Sequence, residues 1–465
     1  MDYDPIADIY IPETLTRNID FSTTPKQIST SNVSWPNGRK GGAAKMTVTT
    51  HLAKIALLAA LLFPASLAAE VREPVSLQLI LLSSEYRLAV AKLVKKFNDQ
   101  QDEITLSYRV NLNEKFHSER TACLKQDECP IDIFLGFSGY GFEQRIKRGK
   151  VEPIGDLWEQ ENFDDFFQNL KQSVTVEGQQ YGIPLSYYPW GFFYNKTLFE
   201  RHQLTPPKSW DEFLKICETL KTNGIPPIII GTKTPFPAAS WFSYLNLRLH
   251  GLDFHKKLTA GQISYRDIRV RETFKFWQNL IEKRYFLPNS YKETYLSVLP
   301  LLYRNIGGMY LIGNMILSKI PNSVRSKIGF FRFPQIKPSL PMFEEAPLDV
   351  LFIPKQSKHK KAAKKVLAFL AKPENQFLLN KAAGYLSPNL KSRQNKDRLL
   401  RITSNHLKSS NGFSYFFNRN SPPEVGRLGT KLLGRFVTDA TDVDYFIEEL
   451  EKLRLNAEKK RLFPE

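Results

Sequence analysis

The feature that most constrains this chain is an early alternation of apolar runs with an amphipathic segment. "VSLQLILLS" (75–83) reads as a buried strand by its apolar run. "YRLAVAKLVKKFNDQQ" (86–101) places apolar residues at three- and four-residue steps, the spacing of one helix face. "ITLSYRVN" (104–111) alternates as a strand does, and "IDIFLGF" (131–137) is a further apolar run. A helix between strands predicts α/β layers with a largely parallel sheet. The second half is richer in helix. "SWDEFLKICETLKTNG" opens on Ser209 with Glu212 three residues on, a capping box, and closes on Gly224. "VRETFKFWQNLIEKRYF" and "KKAAKKVLAFLAKPENQFLLNKAAG" are helical by the same spacing. "IPPIIIGTK", "KIGFFRFPQI" and "LDVLFIPK" read as later strands. Late strands that rejoin an earlier sheet imply two lobes joined by more than one crossing, and 465 residues suffice for two or three domains.

Charge excludes less than its size suggests. The chain carries 65 Lys+Arg against 47 Asp+Glu, a formal +18. Such a surplus marks a nucleic-acid binder when it is clustered. Here the cations are scattered, "KHKKAAKK" (358–365) being a short cluster, and no zinc-finger, homeodomain-like or RNP-like pattern occurs. A basic surface without a nucleic-acid partner is the expectation. The seven histidines are thinly spread, and G-x-S-x-G, H-E-x-x-H, P-loop and G-x-G-x-x-G motifs are lacking, so no enzyme, metal or cofactor is expected. The acid pairs Asp164–Asp165 and Glu344–Glu345 are sequence neighbours in loop-like surroundings and project apart. A glycosidase needs two acids about 5–9 Å apart in a cleft.

"MTVTTHLAKIALLAALLFPASLAAE" (46–70) has a weakly basic lead, an apolar run from Ile55 to Phe63 and small residues at Ser66–Ala69. This is the build of a secretory signal peptide, with cleavage after Ala68 or Ala69. The apolar run is too short for about 30 Å of hydrocarbon, and no cysteine stands at the cleavage point for a lipid anchor. A periplasmic mature protein follows. Residues 1–45 are polar and aperiodic, a disordered leader or an upstream extension. Of three cysteines, Cys123 and Cys129 lie six apart in a polar loop, where a disulfide or two thiols are open, and Cys217 falls on an apolar helix face.

"YGIPLSYYPWGFFYNK" (181–196) crowds seven aromatic residues among prolines and glycines. A core strand accounts for this, and so does a wall of rings facing a ligand. The segment also carries a resemblance. With "PIDIFLGFSG", "TLFERHQLTPPKSWDEF", "GGMYLIGNM" and "APLDVLFIPKQSKHKKAAKKVLAFLAKPENQFLLNKAAGYLSPN", in this order and spacing, the chain resembles the periplasmic solute-binding proteins of sugar ABC importers, which include the maltodextrin-binding proteins. The likeness runs from Val75 to about Leu453.

The resemblance implies two α/β lobes closing on a ligand at a hinge. The expected first lobe is 70–188 with 329–355, the second 189–328 with 356–455, and 456–465 a tail. It implies capture of a sugar for delivery to the permease subunits of a membrane importer, as a monomer; a membrane sensor as partner and a carbohydrate-active enzyme are the alternatives. Tyr187, Tyr188 and Trp190 then face the ligand, since a sugar's C–H face lies on rings and its hydroxyls need hydrogen bonds. Phe192 and Phe193 are assigned to the core, and Gly191 to a tight bend. By position the resemblance adds Glu85 and Tyr86 after the first strand, Phe137 and Ser138 after "IDIFLG", Trp241, Gly313 and Asn314 in "YLIGNM", and Asp349. Two departures stand out. Met315 and Ile316 replace a common Trp, and Asn418 in "SYFFNRN" stands where Asp is common.

Overall fold

The computed structural model describes residues 72–80, 84–393 and 396–462. The leader and the signal segment lie outside the described residues.

The first sheet is built from β1 (Glu73–Ile80), β2 (Ile104–Asn111), β3 (Ile133–Phe137) and β4 (Ile183–Tyr187), with α1 (Ser84–Asp99) between β1 and β2. The chain then enters β5 (Trp190–Asn195), α2 (Trp210–Thr222), α3 (Phe236–Leu249), β6 (Met309–Gly313) and β7 (Ile328–Phe331). Last come β8 (Glu344–Glu345), β9 (Leu348–Phe352), α4 (Lys360–Ala371), α5 (Pro373–Ala383), α6 (Arg398–Lys408) and β10 (Phe413–Ser414). Hydrogen bonding orders the first sheet β2-β1-β3-β9-β4 and the second β6-β5-β7, with β8 and β10 as a separate pair. β1 runs parallel to β2 and β3. The returning β9 is antiparallel to both its neighbours, β3 and β4. The second sheet is antiparallel throughout. The sheets are therefore less uniformly parallel than the alternation of elements predicts.

Several local expectations hold for identifiable reasons. Ser209 accepts from the Glu212 amide while the Glu212 carboxylate accepts from the Ser209 amide, which completes the capping box at α2. Gly224 ends that helix with φ at +72°, a conformation that costs glycine little. Cys217 is buried on the inner face of α2, and Cys123 is bonded to Cys129 with their Cα atoms 5.0 Å apart. "IPPIIIGTK" departs from a strand: Ile228 makes only isolated bridges to Phe286 and Met309. Pro226 and Pro227 lack the N–H groups that a central ladder requires.

The strand pairings also redraw the expected lobe boundaries. β7, placed in advance with the first lobe, pairs with β5 in the second sheet. α4 and α5, placed with the second, sit on the first. From α5, Gln376 donates to the Pro184 carbonyl at 2.6 Å and Asn380 to that of Leu185 at 2.8 Å, satisfying the open edge of β4. The cations at the start of α4 reach acids of the same body: Lys358 to Glu128 at 2.7 Å, Lys360 to Glu152 at 2.9 Å, Lys364 to Asp156 at 2.6 Å, and Lys365 to Glu103. The basic cluster is thus largely neutralised within the protein. The expected tail from 456 is instead the last part of a helix, Val443–Leu462.

Gly191 serves packing, not a bend. A Cβ there would strike the Phe330 ring and lie 2.9 Å from the Phe331 carbonyl oxygen of the adjacent strand. Gly191→Ala is expected to destabilise the fold by about 1–3 kcal/mol, the usual range for overpacking. Urea denaturation checks this, and an unchanged midpoint would show that β7 yields.

Candidate functional site

The chain passes from the first sheet to the second at Tyr188 and Pro189, between β4 and β5. Successive residues of an extended chain project to opposite sides, and Tyr187 and Tyr188 separate accordingly. Burial pushes the Tyr187 hydroxyl up to about 12, opposed by the nearby Ser404 side chain. Tyr188 faces the other way, stacked on Tyr385 with ring centroids 4.7 Å apart. Trp190 lies on the Tyr188 side, edge-to-face with Phe416 at 4.8 Å and with Phe236 at 6.0 Å.

A buried ion pair closes this ring cluster. Asp349 of β9 stands directly across from Phe137 of β3. The Arg419 guanidinium lies 3.8 Å from the centre of the Phe137 ring and donates from Nη1 to Asp349 Oδ1 at 3.2 Å. The Tyr188 hydroxyl is 3.5 Å from the same oxygen. Both charged side chains are buried, 4% and 7% exposed, so each requires the other. Burial, and then the Asp349 charge, raise the hydroxyls of Tyr86 and Tyr385 well above the ordinary tyrosine value.

The polar corner of the site lies where β6 ends. The Asn314 amide N–H reaches the Pro189 carbonyl at 3.1 Å, which fixes Asn314 beside the crossing. Gly313 pairs with Trp190 across the strands. A Cβ on Gly313 would come within 2.7 Å of the Trp190 Nε1, so glycine leaves room for the indole edge. Asn314 is fully buried, and its side-chain oxygen and nitrogen, like Trp190 Nε1, meet no hydrogen-bond partner among the described residues. Buried polar groups of this kind are costly unless something bonds them. The corner thus offers N–H donors and a carbonyl acceptor beside aromatic faces.

A second polar layer backs the crossing. The Tyr244 hydroxyl lies 2.8 Å from the Trp190 carbonyl and 3.1 Å from Glu344 Oε2, and accepts from the Glu345 amide. Glu344 is paired with Arg248 at 3.2 Å and Arg332 at 2.8 Å. Glu345 turns away from those partners. Burial pushes its carboxyl up to about 8, opposed by the hydroxyls of Ser240 and Ser243 and by the Arg419 charge. Neither hydroxyl reaches hydrogen-bond geometry with it. The two acids do point apart, but from a buried short strand and not from the loop that the sequence suggests.

Eight of the anticipated positions come together here: Tyr86, Phe137, Ser138, Tyr188, Trp190, Gly313, Asn314 and Asp349. Ser138 is already engaged, its hydroxyl donating to the Ser173 carbonyl at 2.6 Å. Three positions do not join them. Tyr187 projects to the opposite side. Trp241 sits inside the second body, edge-on to Phe192 at 5.6 Å, Phe286 at 5.0 Å and Phe333 at 5.6 Å, because α3 is buried on every face. Glu85 is exposed in the first turn of α1, where an acid suits the positive end of the helix. Sequence reasoning missed Arg419, Tyr385 and Phe416. Arg419 did leave a signal: a lone cation in the ring-rich "SYFFNRN" has to find a buried acid or stay outside.

The sequence profile of bacterial extracellular solute-binding proteins matches residues 84–377. The chain belongs to that family. An uncharacterised ABC transporter extracellular-binding protein of Pyrococcus horikoshii is 25% identical over 270 residues, 56% of this chain and 58% of the relative. Among solved structures, a solute receptor described as preferring β-D-galactopyranose superimposes with a TM-score of 0.72 at 23% identity, covering 84% of this chain and 98% of the other. A chitin oligosaccharide binding protein gives 0.73 at 21% identity, covering 83% and 99%. The two-lobed solute-binding fold is thereby shown. Among the described residues no helix is long and apolar enough to cross a membrane.

Glu345 yields a pH prediction for this family member. A carboxyl whose folded-state value lies above its unfolded one favours folding most at low pH, and that contribution is lost as pH rises. The window runs from the ordinary carboxyl value of 4.5 to about 8. Glu345→Gln should therefore flatten the fall in stability across that window and be the more stable form at pH 9, by up to about 5 kcal/mol. Parallel urea titrations at pH 5 and pH 9 check it; equal slopes would place a donor on the carboxylate.

Proposed function

We propose that this protein is the solute-capturing component of an ABC importer for a carbohydrate, holding its ligand at the crossing between the two sheets and presenting it to the membrane permease. The observation that carries this reading is the meeting of ring faces with buried, unpartnered polar atoms. Tyr188, Trp190 and Phe416 supply apolar area, and Trp190 Nε1 with the Asn314 amide supplies hydrogen bonds. A sugar ring has a C–H face and a hydroxyl rim, and needs both kinds of surface. The fold relatives named for galactopyranose and for chitin oligosaccharide support a sugar as the solute class. Receptor, not enzyme, is the reading supported by the family profile of extracellular solute-binding proteins. Asp349 is tied to Arg419, and Glu344 to Arg248 and Arg332. The secretory signal read in the sequence, with the extracellular family profile, supports a periplasmic mature protein.

A thermal-shift screen of the protein against galactose, chito-oligosaccharides, malto-oligosaccharides and xylo-oligosaccharides tests the proposal. A true ligand at 100 times its dissociation constant should add about 2.7 kcal/mol of stability. No shift with any sugar, alongside a shift with another solute class, would overturn it.

Two mild variants locate the site without emptying the core. Asn314→Ala removes the amide and Trp190→Phe removes the Nε1 donor while keeping a ring. Each should weaken binding of the sugar found in the screen by about 1–3 kcal/mol, the cost of a lost buried hydrogen bond, or roughly ten- to a hundredfold. Calorimetric titration reads this. Affinity equal to the parent's in both variants would place the ligand elsewhere.

A further inference from the structure

A concave site lies on the Tyr187 side of the crossing. α5 and the loop after it form one wall and α6 the other, around a cavity of about 490 Å³. Five cations line it: Lys381 and Arg393 from the first wall, Arg398, Arg401 and Lys408 from α6. No acidic side chain is among the described residues that line it. Asp397, at the cap of α6, is turned to its own helix amides and to Arg325 at 2.8 Å. Like charges gathered around a concave wall repel one another and focus a positive potential into it. Elsewhere this chain disperses its cations or pairs them, as along α4.

The two walls belong to different bodies. α5 is bonded to the edge of the first sheet through Gln376 and Asn380. α6 lies on the second, His406 meeting Phe330 of β7 edge-on at 5.3 Å. Leu386 and Tyr187 bridge at the floor, so the cavity sits against the crossing itself.

We propose that this cavity is an anion site, for a small solute bearing two or more phosphate or carboxylate groups, distinct from the ring-lined site on the Tyr188 side. Charge-assisted bonds from Lys381 on one wall and from Arg398 and Arg401 on the other would hold both bodies at once. A bound anion therefore favours the arrangement in which α5 and α6 face each other.

The test is calorimetric titration of the purified protein with pyrophosphate and with citrate at low ionic strength, where screening is weak. One anion should bind per chain. Arg398→Gln with Arg401→Gln should weaken that binding at least about tenfold, as expected for two lost charge-assisted contacts. Lys381→Ala, on the opposite wall, should weaken it separately, which guards against a folding defect in α6. Lys92→Ala with Lys283→Ala removes two exposed cations far from the cavity in sequence and should leave affinity unchanged. The proposal is overturned if neither anion binds, if the control pair loses as much as the α6 pair, or if the protein pellets with phosphatidylglycerol vesicles yet ignores both free anions.

Discussion

A guanidinium and a carboxylate shut away from water together are stabilised chiefly by each other, and the junction of this molecule is arranged around one such pair. Arg419 comes from the last third of the chain and Asp349 from a strand inserted between β3 and β4. Neither is tolerable alone at that depth: removing one partner of such a pair typically costs about 3–5 kcal/mol. The pair therefore pins the segment after β10 onto the first sheet. Phe137 beneath the guanidinium and Tyr188 beside the carboxylate are held in the same stroke. The ring cluster and its polar corner follow from that fixed point.

The second sheet is tied to the junction by another buried charge. Arg248 projects from α3 to Glu344 and to the Phe333 carbonyl, while Tyr244 one turn earlier bridges Trp190 and the β8 backbone. α3 is thus both a core helix and the support of the crossing. Its Trp241 fills the interior and its Tyr244 and Arg248 fix the backbone on which Trp190 stands. Trp241 sits apart from the ring cluster at the crossing for this reason. A tryptophan in an all-buried helix is packing material whichever family the helix belongs to, and here even the polar stripe Ser240, Ser243 and Asn246 is buried.

What the sequence disclosed and what it hid divide along contact range. The capping box at Ser209 and Glu212, the helix stop at Gly224, and the strands at 328–331 and 348–352 depend on nearby residues, and all were legible. Lobe membership depends on which strand pairs with which across more than a hundred residues. β7 could not be seen to join β5, nor α4 and α5 to return to β4, from periodicity alone. The same limit applied to the site. Residues on the aromatic crossing could be named because they are contiguous; Arg419, Tyr385 and Phe416 arrive from distant segments, and only the need of a buried cation for an acid connects them to it.

The crossing strand has a further consequence that rests on geometry alone. Adjacent residues of an extended chain face opposite ways, so a hinge that presents Tyr188 to one side must present Tyr187 to the other. Both sides are enclosed here: one by Phe137 and Phe416 around Asp349 and Arg419, the other by α5 and α6 around five cations, with Tyr385 lining the cation cavity as well as stacking on Tyr188. Each enclosure draws its walls from both sheets, so any rotation of one body against the other changes the two together. Occupation of either side bears on the same few backbone torsions between Tyr187 and Trp190. On the two proposals above, a ligand on one face of the crossing would be coupled to a ligand on the other through the strand itself.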